Sequence, residues 1–349
     1  MANKDKKRAK KLRKMRPEGK EAVKNKKIVE PIPGMLIRQG HRHDHHIPLT
    51  EPNWVTVENA ENMRPDDPVL GFHVKDQSYA IPWWVIKNHH VANLTLQKTP
   101  VFIALCEACS SSCAYIALID DKRLNFEVAG AYKGTFVVKD YETESIWAPF
   151  LGESLVGELK GKKLEQFPIY QSEWQEWSQL YPKTLVPDGE GESRDGHGWD
   201  RSPGSYENPD GVRGTLKHRD ERLPHSELVL GVHVNGDEIA FPLKDLPQDQ
   251  TVVSQTIGRE NVAVFYRPNS WMAMAFFGKL NGETLEFTND AGKIIDAKTG
   301  SSWDMKGECV EGEHVGKKLT FAQSGIEEWH IWASYHPETK IFESTAGNS

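Results

Sequence analysis

Val69-Leu70-Gly71-Phe72-His73-Val74 returns as Val229-Leu230-Gly231-Val232-His233-Val234, and the architecture is read outward from these two stretches. Further matches follow in the same order. Ala80-Ile81-Pro82 meets Ala240-Phe241-Pro242, and Leu124-Asn125-Phe126 meets Leu285-Glu286-Phe287. Asp140, Thr143, Ser145 and Trp147 align with Asp296, Thr299, Ser301 and Trp303. Gly161-Lys162-Lys163-Leu164 recurs unchanged as Gly316-Lys317-Lys318-Leu319, and Trp174, Trp177 and Pro182 meet Trp329, Trp332 and Pro337. The offset stays between 155 and 161 residues, the pattern expected of two copies of one unit with small insertions and deletions.

Each unit reads as short strands. Val69–Val74, Val101–Cys106, Tyr115–Ile119, Leu124–Val128 and Thr135–Val138 are apolar or alternating runs broken by Asp, Gly and Lys. The second unit gives Val229–Val234, Val262–Tyr266, Met272–Phe277 and Leu285–Thr288, with Asn281-Gly282 as a hairpin turn. Helical periodicity is weak outside Pro82–Lys87 and Ser172–Leu180. The expected fold is mainly β, with two tandem antiparallel β-sandwich or barrel-like domains and a few short helices. Four segments follow: a disordered basic tail over 1–40, a first β repeat over 41–186, a Gly/Pro/Asp-rich connector over 187–224 and a second β repeat over 225–345. The connector holds His197, Trp199, Tyr206, His218 and Asp220, more aromatic and imidazole content than a spacer needs. It is expected to lie across the cleft between the repeats.

Net charge of −7 excludes a general nucleic-acid surface on the body of the protein. The tail, with Lys4, Lys6, Lys7, Arg8, Lys10, Lys11, Arg13, Lys14 and Arg16, is a solubilising segment or a weak tether to nucleic acid or an anionic surface. No apolar run approaches the roughly 18–20 residues that span a bilayer. No apolar segment follows the basic residues to make a secretory signal, so the expected compartment is the cytoplasm. Four cysteines are too few for a disulfide scaffold.

Three of them stand in Cys106-Glu107-Ala108-Cys109-Ser110-Ser111-Ser112-Cys113, after the apolar run Val101–Leu105. C-x-x-C spacing brings two sulfurs to one metal ion or into a tight disulfide. Ser110 replaces the histidine that a c-type haem attachment needs, and the absence of a second C-x-x-C forces a zinc site to recruit histidines. Thiolate with imidazole suits copper first, then zinc or iron. Small buried side chains around a serine-rich turn are the structural alternative. Lys98 is the one obvious local cation to favour a thiolate. His89 and His90 lie upstream, and in an extended segment only one of them can face the thiols. His41, His43 and His45 would share one face of an extended chain as a second metal candidate. No nucleophile elbow, phosphate loop or dinucleotide fingerprint is present, so no nucleotide cofactor is expected. In the second unit Arg267-Pro268-Asn269-Ser270 replaces Cys106-Glu107-Ala108-Cys109.

Taken together, these segments resemble a bacterial family of uncharacterised proteins, the domain of unknown function numbered three-one-seven-nine. Ala80-Ile81-Pro82 looks like its A-Y-P element, His89…Asn93 like its H-E-x-x-N-D element and Cys106…Cys109 like its C-P-L-C element. Thr299-Gly300-Ser301-Ser302-Trp303 is similar to its T-G-S-x-W segment, and Trp329-His330-Ile331-Trp332…Pro337-Glu338-Thr339 to its closing segment. His90 stands where the family has Glu, Leu94 where it has Asp, and Glu107-Ala108 where it has Pro-Leu. The resemblance implies export for many members but supplies no activity, and it points to His89, Cys106 and Cys109. The leading expectation is a metal-binding, redox-capable protein with His89, Cys106 and Cys109 as ligands and Cys113 as a further ligand or resolving thiol. One alternative is a non-catalytic module that binds a small molecule or protein in an aromatic cleft lined by Trp83, Trp84, Trp147, Trp271 and Trp303, unless these pack in the cores. The third is a thiol–disulfide oxidoreductase using Cys106 and Cys109.

Overall fold

Leu70, Phe72 and Val74 point into one core from the strand Pro68–Val74, while Val69 and Gly71 face another. That period-two sorting runs through the computed structural model, which describes residues 28–38, 46–189, 191–192, 203–204 and 210–344. Gly71 has a local reason. A Cβ there would stand 2.3 Å from the Trp177 ring, which lies flat on the strand and donates its indole N–H to Thr184 Oγ1 at 3.0 Å. In Leu228–Val234, a Cβ on Gly231 would stand 2.2 Å from Trp332, whose indole donates to Thr339 Oγ1 at 2.9 Å. Glycine and tryptophan are two ends of one contact.

The chain is mainly β, built of several antiparallel sheets with three short α-helices among the described residues. One sheet runs Ile169–Glu173, Pro68–Val74, Gln77–Pro82, Leu185–Pro187, Trp54–Thr56. Another runs Ser324–Glu328, Leu228–Val234, Asp237–Pro242, Lys340–Ile341. Both carry a parallel pairing after the central hairpin, at Leu185 with Tyr79 and at Lys340 with Ile239. Each hairpin also shares its register: Gly71 pairs with Ala80, and Gly231 with Ala240. The strands Thr99–Cys106 and Ser111–Ile116 likewise correspond to Glu260–Tyr266 and Ala273–Phe277.

The aligned Asp, Thr, Ser and Trp residues build a buried turn. Asp140 accepts the Trp147 indole N–H at 2.8 Å and the Thr143 hydroxyl at 2.9 Å, and Thr143 meets Ser145 at 2.7 Å. Asp296, Thr299 and Ser301 repeat most of this at 2.5 and 2.7 Å. A buried carboxylate persists only where such donors surround it, so the recurring pattern serves the fold.

Each closing helix packs on its own half and also reaches into a core of the other. Trp174 and Trp177, on the helix Trp174–Leu180, share a core with Phe265, Met272, Met274, Phe276 and Trp303 of the second half. Ile331, on the helix Trp329–Tyr335, shares a core with Cys106, Cys109, Phe102 and Phe136 of the first. The helix Trp329–Tyr335, not singled out by periodicity, equals the helix Trp174–Leu180 in length and aligns with it through Trp329 and Trp332.

Several expectations change. The tail ends earlier than residue 40, because Leu36–Arg38 pairs with Ile28–Val29 and with Gly130 and Ala131, and Met35 is fully buried. Residues 1–27, His41, His43, His45, His197, Trp199 and Tyr206 lie outside the described residues. Described parts of the connector touch both halves: Val212 N–H donates to the Gly134 carbonyl at 2.7 Å, and Arg222 donates to the Thr339 carbonyl at 2.8 Å. Trp83, Trp84, Trp147 and Trp303 are core residues, so they line no cleft between the halves. Trp271 instead borders an open pocket of about 350 Å³ beside Tyr266, Arg267 and Ser270. No helix among the described residues is long and apolar enough to cross a membrane.

Candidate functional site

The run into the cysteines alternates by face. Val101, Ile103 and Leu105 enter one core, and Phe102, Ala104 and Cys106 the other. Cys106 therefore ends a strand on the face of the first half's core that Ile331 of the second half joins. A 3-10 turn, Glu107–Cys109, follows, and Ser110 reverses the chain at φ 49°, a left-handed conformation. Ser111–Ile116 then returns beside the first strand, so Cys113 lies opposite Ala104 and not in the loop.

All three cysteines are reduced and buried. The Cys109 thiol points back into the turn, 3.8 Å from the Cys106 carbonyl and 3.6 Å from Thr135 Oγ1, and it meets the Cys106 thiol. Burial pushes the Cys109 and Cys113 thiols up, with Cys106 adding to the effect on Cys109 and Glu327 to that on Cys113.

The other wall comes from the second half. The Ser110 hydroxyl donates to Glu328 Oε1 at 2.9 Å and accepts the Gly204 N–H at 2.9 Å. Gln171 Nε2 donates to the Ser110 carbonyl at 2.7 Å. Burial raises Glu328 to about 9, with Cys109 contributing, and raises Glu327 to about 8, so both are protonated at neutral pH. His330 donates from Nδ1 to the His225 carbonyl at 3.1 Å and stacks on the His225 ring with centroids 3.8 Å apart. Burial lowers His330 to about 3, leaving it neutral. Glu328 Oε2 lies 3.4 Å from His330 Nδ1, and His330 Nε2 is buried without a hydrogen-bond partner among the described residues. The only sequence signal for this wall is the acidic pair Glu327-Glu328 immediately before the aligned Trp329.

Of the expected ligands, the structure brings Cys106 and Cys109 together. His89 is elsewhere: its Nδ1 meets the Ile47 carbonyl and its Nε2 lies 3.1 Å from Glu192 Oε1. His90 is the histidine beside the cysteine strand, with Nδ1 3.3 Å from the Leu105 carbonyl and its ring against Phe136. The two histidines occupy a turn after the helix Trp83–Ile86, with His90 at φ 58°, so strand alternation does not govern them. Lys98 sits at the far end of the strand Thr99–Cys106, about 25 Å away at 3.3 Å per residue. The cation near the turn is Lys87, which burial lowers to about 8 and Glu107 partly restores. No three of His89, Cys106, Cys109 and Cys113 bring their ligand atoms within 4.8 Å of one another; among the described residues that geometry belongs to His233, Glu238 and His336.

The second half offers a contrast at the corresponding turn. Arg267 Nε donates to Glu176 Oε1 at 2.6 Å, and the Ser270 hydroxyl donates to Glu176 Oε2 at 2.6 Å. Where a polar lock meets a carboxylate there, the first half has thiols in an apolar core that Ile331 shares.

Fold and site together define a mainly β protein with a buried thiol pair where its two halves interlock. The chain belongs to a family described as "Protein of unknown function (DUF3179)", whose model matches residues 44–347. No curated protein and no solved structure matches it.

Proposed function

We propose that the protein binds a soft transition-metal ion between Cys106 and Cys109, monovalent copper ahead of zinc or iron. The observation that carries this reading is the direct meeting of two reduced, buried thiols at the end of a strand. Thiolates favour monovalent copper over harder divalent ions. Two thiolates with one monovalent cation leave a single negative charge in the site. Glu328, protonated at neutral pH, adds no second one. His89 is outside this ligand set, and Cys113 stands nearby on the same sheet.

Binding releases a proton from each thiol, so affinity falls as pH falls, by about a hundredfold per unit while both thiols are protonated. A competition titration of copper(I) against a chromophoric chelator tests the proposal. One ion per chain is expected, and none with Cys106→Ser plus Cys109→Ser. Equal substoichiometric copper in both proteins overturns it. The carboxyl of Glu328 beside Cys109 favours a second reading, a thiol–disulfide centre in which Glu328 buffers the thiol proton. That reading predicts a measurable two-electron potential and little bound copper. Either chemistry suits a reducing compartment such as the cytoplasm. We further read the halves as divergent copies of one unit, supported by their shared strand registers.

A further inference from the structure

We propose a second, independent metal site in the second half, formed by His233, Glu238 and His336 and fitted to a divalent ion of the zinc class. Three separate elements supply the donors. His233 and Glu238 are cross-strand partners of the hairpin Leu228–Val234 and Asp237–Pro242. His336 follows the helix Trp329–Tyr335; its N–H donates to the Trp332 carbonyl at 2.9 Å, and its ring stacks on Trp332 with centroids 3.9 Å apart. Strand pairing and a helix end therefore hold all three side chains.

The spacing matches ligation. Nδ1 of His233 and Nδ1 of His336 each lie 3.2 Å from Glu238 Oε1, and the three ligand atoms are mutually within 4.8 Å. Donors bound to one tetrahedral ion at about 2.0–2.2 Å stand about 3.3 Å apart. All three residues are half-buried, so a fourth position can be taken by water. Two imidazoles and one carboxylate form a donor set for zinc and for other divalent transition metals. Each imidazole would present Nδ1 unprotonated and carry its proton on Nε2.

The fold does not require this set. At the corresponding node of the first half, His73 Nδ1 lies 3.0 Å from Ser78 Oγ, and the His73 ring packs on Tyr181 with centroids 4.6 Å apart. A serine and a tyrosine satisfy the same geometry there. The second half instead supplies a carboxylate and a second imidazole, both converging on its shared histidine position.

Calorimetric titration with zinc alone tests the site, using the full chain with Cys106→Ser and Cys109→Ser so that the thiol pair contributes nothing. One zinc per chain is expected, weakened at least about tenfold by His336→Tyr or Glu238→Ser, the residues of the first half. Glu238→Gln is a third variant that preserves side-chain size should either of these fail to fold. Cobalt(II) in place of zinc should give the visible absorption of a tetrahedral site, lost in the same variants. Absence of saturable zinc binding, or equal binding by folded variants, overturns the proposal. Neither result bears on copper at the thiols.

Discussion

Glu328 shows how one residue couples the site to the solvent. Its folded-state pKa near 9, and that of Glu327 near 8, lie above the ordinary carboxylate value of 4.5. The folded chain thus holds protons that the unfolded chain releases. Their contribution to stability is full below pH 4.5 and declines as pH rises through 8 and 9. Buried His73, His90 and His330, lowered to about 3, act with the opposite sense: the stability of their neutral forms is lost as pH falls below about 6.5. Between pH 7 and 8 those histidines are neutral whether folded or not, so the buried carboxyls dominate the slope. Glu328→Gln should therefore lose less thermal stability than the unaltered protein between pH 7 and 8. Parallel melting curves from the two proteins would remove Glu328 as the cause. Its role was not legible in the sequence, because an acidic residue before a helix is ordinarily solvated.

Among the elements, the strand and helix that close each half depend on a glycine. Gly71→Ala and Gly231→Ala drive a methyl group into Trp177 and Trp332, so each should cost about 1–3 kcal/mol in denaturant unfolding. Unchanged midpoints would mean that the indoles move aside freely. The helices also distinguish the two turns they cover. Ile331→Ala opens a cavity in the core that also holds Cys106 and Cys109 and should cost about 2–5 kcal/mol. Arg267→Ala removes a partly exposed ion pair with Glu176, and about 1 kcal/mol or less is expected. Reversed costs would mean that the polar lock, not the apolar seat, holds the halves together. The strands were legible from alternation and the matched glycines and tryptophans. The partners of the helices were not, since each helix packs on residues more than a hundred positions away in the chain.

Across the whole molecule, the closing helices make the halves interdependent, because each joins a core of the other half as well as its own. Separated at the connector, each half would expose apolar surface that now lies in the shared cores. Residues 28–187 and 212–344 expressed alone should therefore lack cooperative unfolding, and mixing them should restore it. Two fragments that each melt cooperatively would show that the shared cores contribute little. The same interlock seals the thiol pair: Ser110 is held by Glu328 and Gly204, and Ile331 joins the core that holds the two cysteines. An ion bound there would strengthen the union of the halves, so copper should raise the melting temperature of the intact chain.

The sequence by itself determined the strands, their matched order and the position of Cys106 at a strand end, because alternation, turn residues and C-x-x-C spacing are local signals. Only the tertiary structure decided that His90 and not His89 lies against the cysteine strand, that Glu328 and His330 wall the turn, and that Glu238 joins His233 to His336. Those contacts depend on a backbone turn at positive φ and on how the halves dock. Both are set by packing between residues far apart in the chain, which no local pattern records.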